Sequence, residues 1–412
     1  VKRILLVVLI TWCSVAGAVS SEQMDEAQMA AALDQLGQLL GLAPVEPAEL
    51  SRKVEEIGEL RFRHTVPIDF MSREELKQYI RELFDEEYPV EFAEREERAL
   101  RGFGFLEDGQ DLRTIREKVL NENIAGFYDE RPGVKKLFAI SSGRTLGVMN
   151  QLILSHELRH AVQDQHVVIR EKLIVDSDYD DRRLAALCLF EGDASVLMEQ
   201  YLMSGVTENM PEMANLFQVL DQGLSGADIA EMLGVGPALK TAPPIVQEQL
   251  IAPYVQGRAL AMAAYKKGGF ALLNELMERP PRSMEQVLHP EKYLDGPGSS
   301  DEPVPVKLSE TRDAEVDFEG RLGEFLIQVL LRGGPARAQA NAAAAGWGGD
   351  AFAVLRTSEG FRLVWRSVWD SVEDAREFES ALVTHMDGSI GNAFYELESS
   401  GKEVLFVRSQ FR

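Results

Sequence analysis

Cysteine is almost missing from this 412-residue chain: Cys13 and Cys188 are the only two. With Cys13 in an N-terminal leader, a disulfide framework is excluded within the rest of the chain. Cys188 sits in AALCLFEG and reads as a small buried apolar residue. Basic charge is short as well. Forty-three Lys and Arg stand against 67 Asp and Glu, for a net charge of −24, which argues against nucleic acid and anionic membrane as partners. No apolar run approaches the roughly 20 residues that span a bilayer, and no internal repeat is visible. Histidine is rare too, at six residues, so any clustering of it carries weight.

What is present reads as an exported folded protein. Lys2 and Arg3 precede ILLVVLI, and the small residues Ala16 to Ala18 follow. This is the pattern of a secretory signal, with cleavage expected after Ala18 and a periplasmic or extracellular destination. The competing reading is an uncleaved membrane anchor. Trp12 is too bulky for the residue before a lipidated cysteine, so Cys13 does not mark a lipoprotein. No stable membrane insertion is expected after cleavage. Apolar residues make up 45% of the chain, ample for a core, and the length allows more than one domain.

The pattern divides the chain into residues 19–105, an N-terminal α/β subdomain or pro-segment; 106–300, a mainly helical catalytic region; and 301–412, a small C-terminal α/β module. MAAALDQLGQLLGL and PAELSRKVEEIGEL read as amphipathic helices, RFRHTVPIDFM as containing a strand. Ser72 and Glu75 stand in capping-box spacing at the start of the next helix. IAGFYD and KKLFAIS flank the turn signal ERPGV and predict a β-hairpin. A long helical pattern follows over 145–169, then a buried helix from Asp180 and another buried helix from Val246, with a bend expected at Pro253. LLNELMERPPRSMEQVLHPEKYL reads as two short helices broken by Pro280-Pro281, the second capped by Ser283 and Gln286. In the C-terminal module FEGRLGEFLIQVLLR reads as one helix. After it come two strands, a helix and two strands.

The chemistry concentrates in LSHELRHAVQDQHVV, which holds His156, His160 and His166. His156 and His160 bracket Glu157 as H-E-x-x-H. On a helix, residues four apart share a face, so both imidazoles can reach one Zn²⁺. Glu157 then lies close enough to take a proton from a water that the metal has made acidic. The competing reading is chance: two surface histidines on an ordinary helix. Chance would place this pattern in roughly one such chain in a hundred.

The stretch HELRHAVQD resembles the zinc helix of thermolysin-type metallopeptidases, members of the gluzincins. The chain also resembles a group of uncharacterised secreted bacterial proteins carrying H-E-L-x-H-A-x-Q-D-Q and E-G-D-A. In that group PYVQG, LHPEKY and GWGGD recur in the same order. The resemblance implies a zincin-like α+β fold, with His156 and His160 as zinc ligands and Glu157 as general base. It also implies a third ligand from a following helix, for which LFEGDAS offers Glu191. By the same resemblance Asp164 corresponds to an aspartate that orients a ligand histidine, with Asp193 a second candidate. An oxyanion donor is expected from His289 with Tyr254 or Tyr293. The hairpin would offer an exposed strand edge to a peptide substrate. The G-x-M-E-N motif of the aminopeptidase branch is absent, which favours an endopeptidase.

Glu191 has the apolar helical neighbours Leu184, Leu187, Cys188, Ala194 and Met198, where a lone carboxylate is costly. His166 lies about 9 Å along the axis and about 120° around it from His160 if the helix continues, too far to share a metal. The expected function is therefore an exported zinc peptidase acting on a peptide or protein. The alternatives are an envelope binding or scaffold protein with a structural zinc, using Trp347, Trp365 and Trp369, or a hydrolase of another amide such as peptidoglycan.

Overall fold

The computed structural model of the chain describes residues 45–124, 126–140, 148–175, 177–209, 236–296, 301–389 and 395–411. The expected leader at 1–18 and the segment MAAALDQLGQLLGL lie outside them.

Local chemistry starts the first elements. Helix α1 (Pro47–Gly58) opens on proline, whose missing N–H is harmless at a helix start, and buries Leu50 and Val54. Strand β1 (Ile68–Met71) leads into α2 (Arg73–Glu87). The expected capping box is formed: the Ser72 hydroxyl accepts from Glu75 N–H, and the Glu75 carboxylate accepts from Ser72 N–H. Helix α3 (Val90–Phe103) stops at Gly104, which takes φ 88°, and α4 (Leu112–Asn123) is capped by Asp111.

The expected hairpin is present as β2 (Gly126–Asp129) antiparallel to β3 (Lys136–Ile140). β1 pairs with β3 in parallel, giving the order β1-β3-β2. Phe127 and Phe138 are direct partners and stack with ring centres 5.0 Å apart. Helix α5 (Val148–Val167) packs against β2 and β3 and runs unbroken through Gln163. Val168, at φ 50°, ends it. Helices α6 (Asp181–Asn209) and α7 (Pro244–Leu276) pack along one another. Pro253 sits within α7, but the non-helical residues there are Gly268 and Gly269, not the neighbourhood of Pro253. Gly269 takes φ +66°, which glycine adopts without steric cost.

The rest of the chain adds β4 (Tyr179–Asp180), β5 (Glu315–Arg321), α8 (Gly323–Arg332), β6 (Trp347–Thr357), β7 (Gly360–Trp369), α9 (Val372–Ser389), β8 (Tyr395–Ser400) and β9 (Glu403–Phe411). Their sheet has the order β4-β5-β6-β7-β9-β8. The first part of FEGRLGEFLIQVLLR is strand, not helix, because a tertiary anchor fixes where the helix begins. The Asp350 carboxylate accepts the N–H groups of Leu322 and Gly323, at 2.9 and 3.0 Å, and the indole N–H groups of Trp347 and Trp365, each at 3.0 Å. Phe318 is thereby left on β5 to pack between Phe92 and Phe352. The GWGGD stretch is a structural bracket: Trp347, Trp365 and Trp369 are at most 1% exposed, too buried to form a binding surface.

The molecule is mixed α+β, with one continuous core reaching from Leu50 to Phe406. Among the described residues no helix is long and apolar enough to cross a membrane.

Candidate metal centre

His156 and His160 lie one turn apart on α5, and Glu191 reaches them from α6. All three are 1% exposed. His156 Nε2 is 3.0 Å from His160 Nε2 and 3.1 Å from Glu191 Oε2; His160 Nε2 is 3.4 Å from the same oxygen. Tetrahedral zinc with bonds of 2.0–2.1 Å holds its donor atoms about 3.3 Å apart. The spacing fits. His156 Nδ1 and Glu191 Oε1 are buried without a hydrogen-bond partner among the described residues, a state that proteins normally avoid. The group can hold a metal ion.

Its electrostatics point the same way. Burial pushes the His156 imidazole down to about 4, with the charge of His160 adding to the effect. Burial would lower His160 too, but Glu191 and then Glu157 draw it up to about 9. Burial alone would raise Glu191; the charge of His160 and hydrogen bonds from both histidines bring it down to about 2.

Glycines let the two helices come close enough. A Cβ at Gly192 would stand 2.0 Å from the carbonyl oxygen of Gly257, and one at Gly257 would stand 2.2 Å from that of Cys188. Backbone lies on both sides, so no rotamer change can relieve the clash. The crossing sets Glu191, next to Gly192, and brings Tyr254, one helical turn before Gly257, to a ring distance of 6.4 Å from His156. Gly192→Ala gains about 1 kcal/mol of helix propensity but overpacks the crossing by about 1–3 kcal/mol or more. We expect a net loss of stability and weaker metal binding. Urea midpoints for both proteins check this, and an unchanged or higher midpoint contradicts it.

Glu157 is 1% exposed, and its Oε2 accepts the N–H of Tyr128 at 2.7 Å. Gly126 permits that approach, because a Cβ there would lie 2.8 Å from Ile153. Burial pushes the Glu157 carboxyl up to about 8, against the pull of His160 and the Tyr128 N–H. A cation bound by the trio would bring it down again. Among the described residues the exposed strand edge expected at the hairpin is not found. β2 is buried along its length and turns its free edge towards Glu157.

Asp164 does not touch a histidine. It is buried, accepts from the Tyr128 hydroxyl at 3.0 Å and pairs with Lys135, so it pins the hairpin to α5. The Nδ1 of His160 instead faces Gln163 Oε1 at 2.9 Å, and Gln163 Nε2 donates to Asp193 Oδ2 at 2.6 Å. His289 is not brought to the trio; its Nε2 meets both carboxylate oxygens of Glu324 at 3.1 Å. Tyr293 donates its hydroxyl to Arg279 O at 2.8 Å. His166 turns to the 61–63 segment, with Nε2 2.9 Å from Arg61 O.

Comparison with known proteins reaches only the other end of the chain. Residues 313–409 match a family described as a domain of unknown function (DUF8575). That span runs from just before β5 into β9 and holds none of the trio. No curated protein matches the chain. No solved structure matches it either.

A second acidic group, Glu285, Asp301 and Asp370, surrounds the Lys292 ammonium at 2.7, 2.8 and 3.8 Å. Its cation is already supplied. Sequence reasoning missed Arg159 and Gln163. Gln163 is one turn past His160 on the same face, a signal that was available.

Proposed function

We propose that this chain is an exported, zincin-like, zinc-dependent peptidase that hydrolyses peptide bonds with Glu157 as general base. The observation that carries this reading is the convergence of His156, His160 and Glu191 from two helices, with Glu157 fixed beside them. Zinc held by these three residues would supply Lewis acidity, which makes a water nucleophilic at neutral pH and polarises a scissile carbonyl. The chain supplies the rest. Glu157 takes the proton of the attacking water on its carboxylate and passes it to the departing amine nitrogen. The Tyr128 N–H holds Oε2 in position for this transfer. Tyr254, beside His156, is the proposed donor to the developing oxyanion. The burial of the three tryptophans weighs against a scaffold that binds through them.

Incubating purified protein with casein and a broad peptide library tests the reading, with a panel of peptidoglycan fragments alongside. We expect peptide cleavage that a chelator abolishes and added zinc restores. No cleavage of any peptide would sink the peptidase reading. Cleavage confined to the peptidoglycan panel would replace it with another amide hydrolase.

A further inference from the structure

Arg159 lies between the two histidines of the motif and is 0% exposed. Its guanidinium grips both oxygens of Asp193, Nε to Oδ2 at 2.8 Å and Nη2 to Oδ1 at 3.0 Å. Nη2 also donates to Asn274 Oδ1 at 2.7 Å and Nη1 to Gly58 O at 3.2 Å, while the Phe270 ring lies 5.3 Å away. A buried cation this fully partnered fixes Asp193 as an acceptor.

The donors and acceptors then follow in order. Gln163 Nε2 faces Asp193 Oδ2 at 2.6 Å and Phe190 O at 3.2 Å, and neither has a proton to give. The amide is therefore oriented with its NH₂ towards them, leaving Oε1 towards His160 Nδ1 at 2.9 Å. Since Oε1 only accepts, Nδ1 must carry a hydrogen. In the neutral ring Nε2 is then the bare nitrogen, and it points at His156 Nε2 and Glu191 Oε2.

We infer that Gln163, held by Asp193 and Arg159, is a positioning residue that locks His160 in the Nδ1–H tautomer and so presents Nε2 to the metal. This rests on the metal-binding reading proposed above. The first ligand has no such support: His156 Nδ1 has no hydrogen-bond partner among the described residues. One histidine of the pair is thus preset by the fold.

The test compares the full chain with Gln163→Leu and Asp164→Asn by zinc competition against a chromophoric chelator. Supporting groups of this kind typically change metal affinity about 10–100-fold. We expect Gln163→Leu to weaken zinc by that factor and Asp164→Asn to stay within about twofold, because Asp164 touches Tyr128 and Lys135 instead. Melting in chelator reports whether each variant folds. Should Gln163→Leu not fold, the wild type still decides the matter. Long-range ¹H–¹⁵N spectra of the zinc-loaded protein should show a slowly exchanging His160 Nδ1–H. Wild-type affinity in a folded Gln163→Leu, or a His160 whose Nδ1 lacks a hydrogen, overturns the inference alone. A wild type that takes up no zinc overturns the metal reading as well.

Discussion

Glu157→Gln will leave zinc near one equivalent per chain while peptide hydrolysis falls by several orders of magnitude. The substitution keeps the shape of the side chain and an oxygen able to accept the Tyr128 N–H. It removes the site that receives the proton. General base catalysis and charge stabilisation are each worth about 10²–10⁴-fold, and a glutamate in this position contributes to both. Glu157 is also not one of the three convergent ligand atoms, so metal content should not follow activity down. Metal analysis of both proteins, beside initial rates on one cleaved peptide, provides the check. Equal rates would remove Glu157 from the mechanism. A joint loss of zinc and activity would make it a structural residue.

Glu191→Ala will weaken zinc binding at least about a hundredfold, more than the typical loss of a supporting group. The carboxylate is the only anionic member of the trio, and without it two buried imidazoles must face a dication alone. His166→Ala should stay within about twofold of the wild type, since its ring is engaged with Arg61 and Arg63 instead. Titration against a competing chelator measures both. The opposite ranking would replace the two-helix site by one built on His156, His160 and His166.

The motif was legible because it is local. H-E-x-x-H on a continuous helix places two imidazoles and a carboxylate by helical repeat alone, and Ser72 with Glu75 or Ser283 with Gln286 announce helix starts in the same way. Glu191 was legible for a different reason: a carboxylate in an apolar helix needs a countercharge somewhere. What failed was decided across the fold. Phe318, Glu319 and Arg321 are compatible with a helix, but Asp350, far along the chain, fixes the helix start at Gly323. Asp164 stands at a spacing suited to orienting a histidine, yet the hairpin lends it Tyr128 and Lys135 as partners. Gln163 then takes that place. The glycines at 192 and 257 look like ordinary helix-weakening residues until the helices that they allow to touch are seen together.

Diffraction at the zinc absorption edge, from crystals of the zinc-loaded wild type, tests the central claim most directly. The account predicts one strong anomalous peak, bonded to His156 Nε2, His160 Nε2 and a Glu191 carboxylate oxygen at about 2.0–2.2 Å, with Glu157 beside it and unbonded. A peak on His166, a peak remote from α5 and α6, or no bound zinc would contradict it.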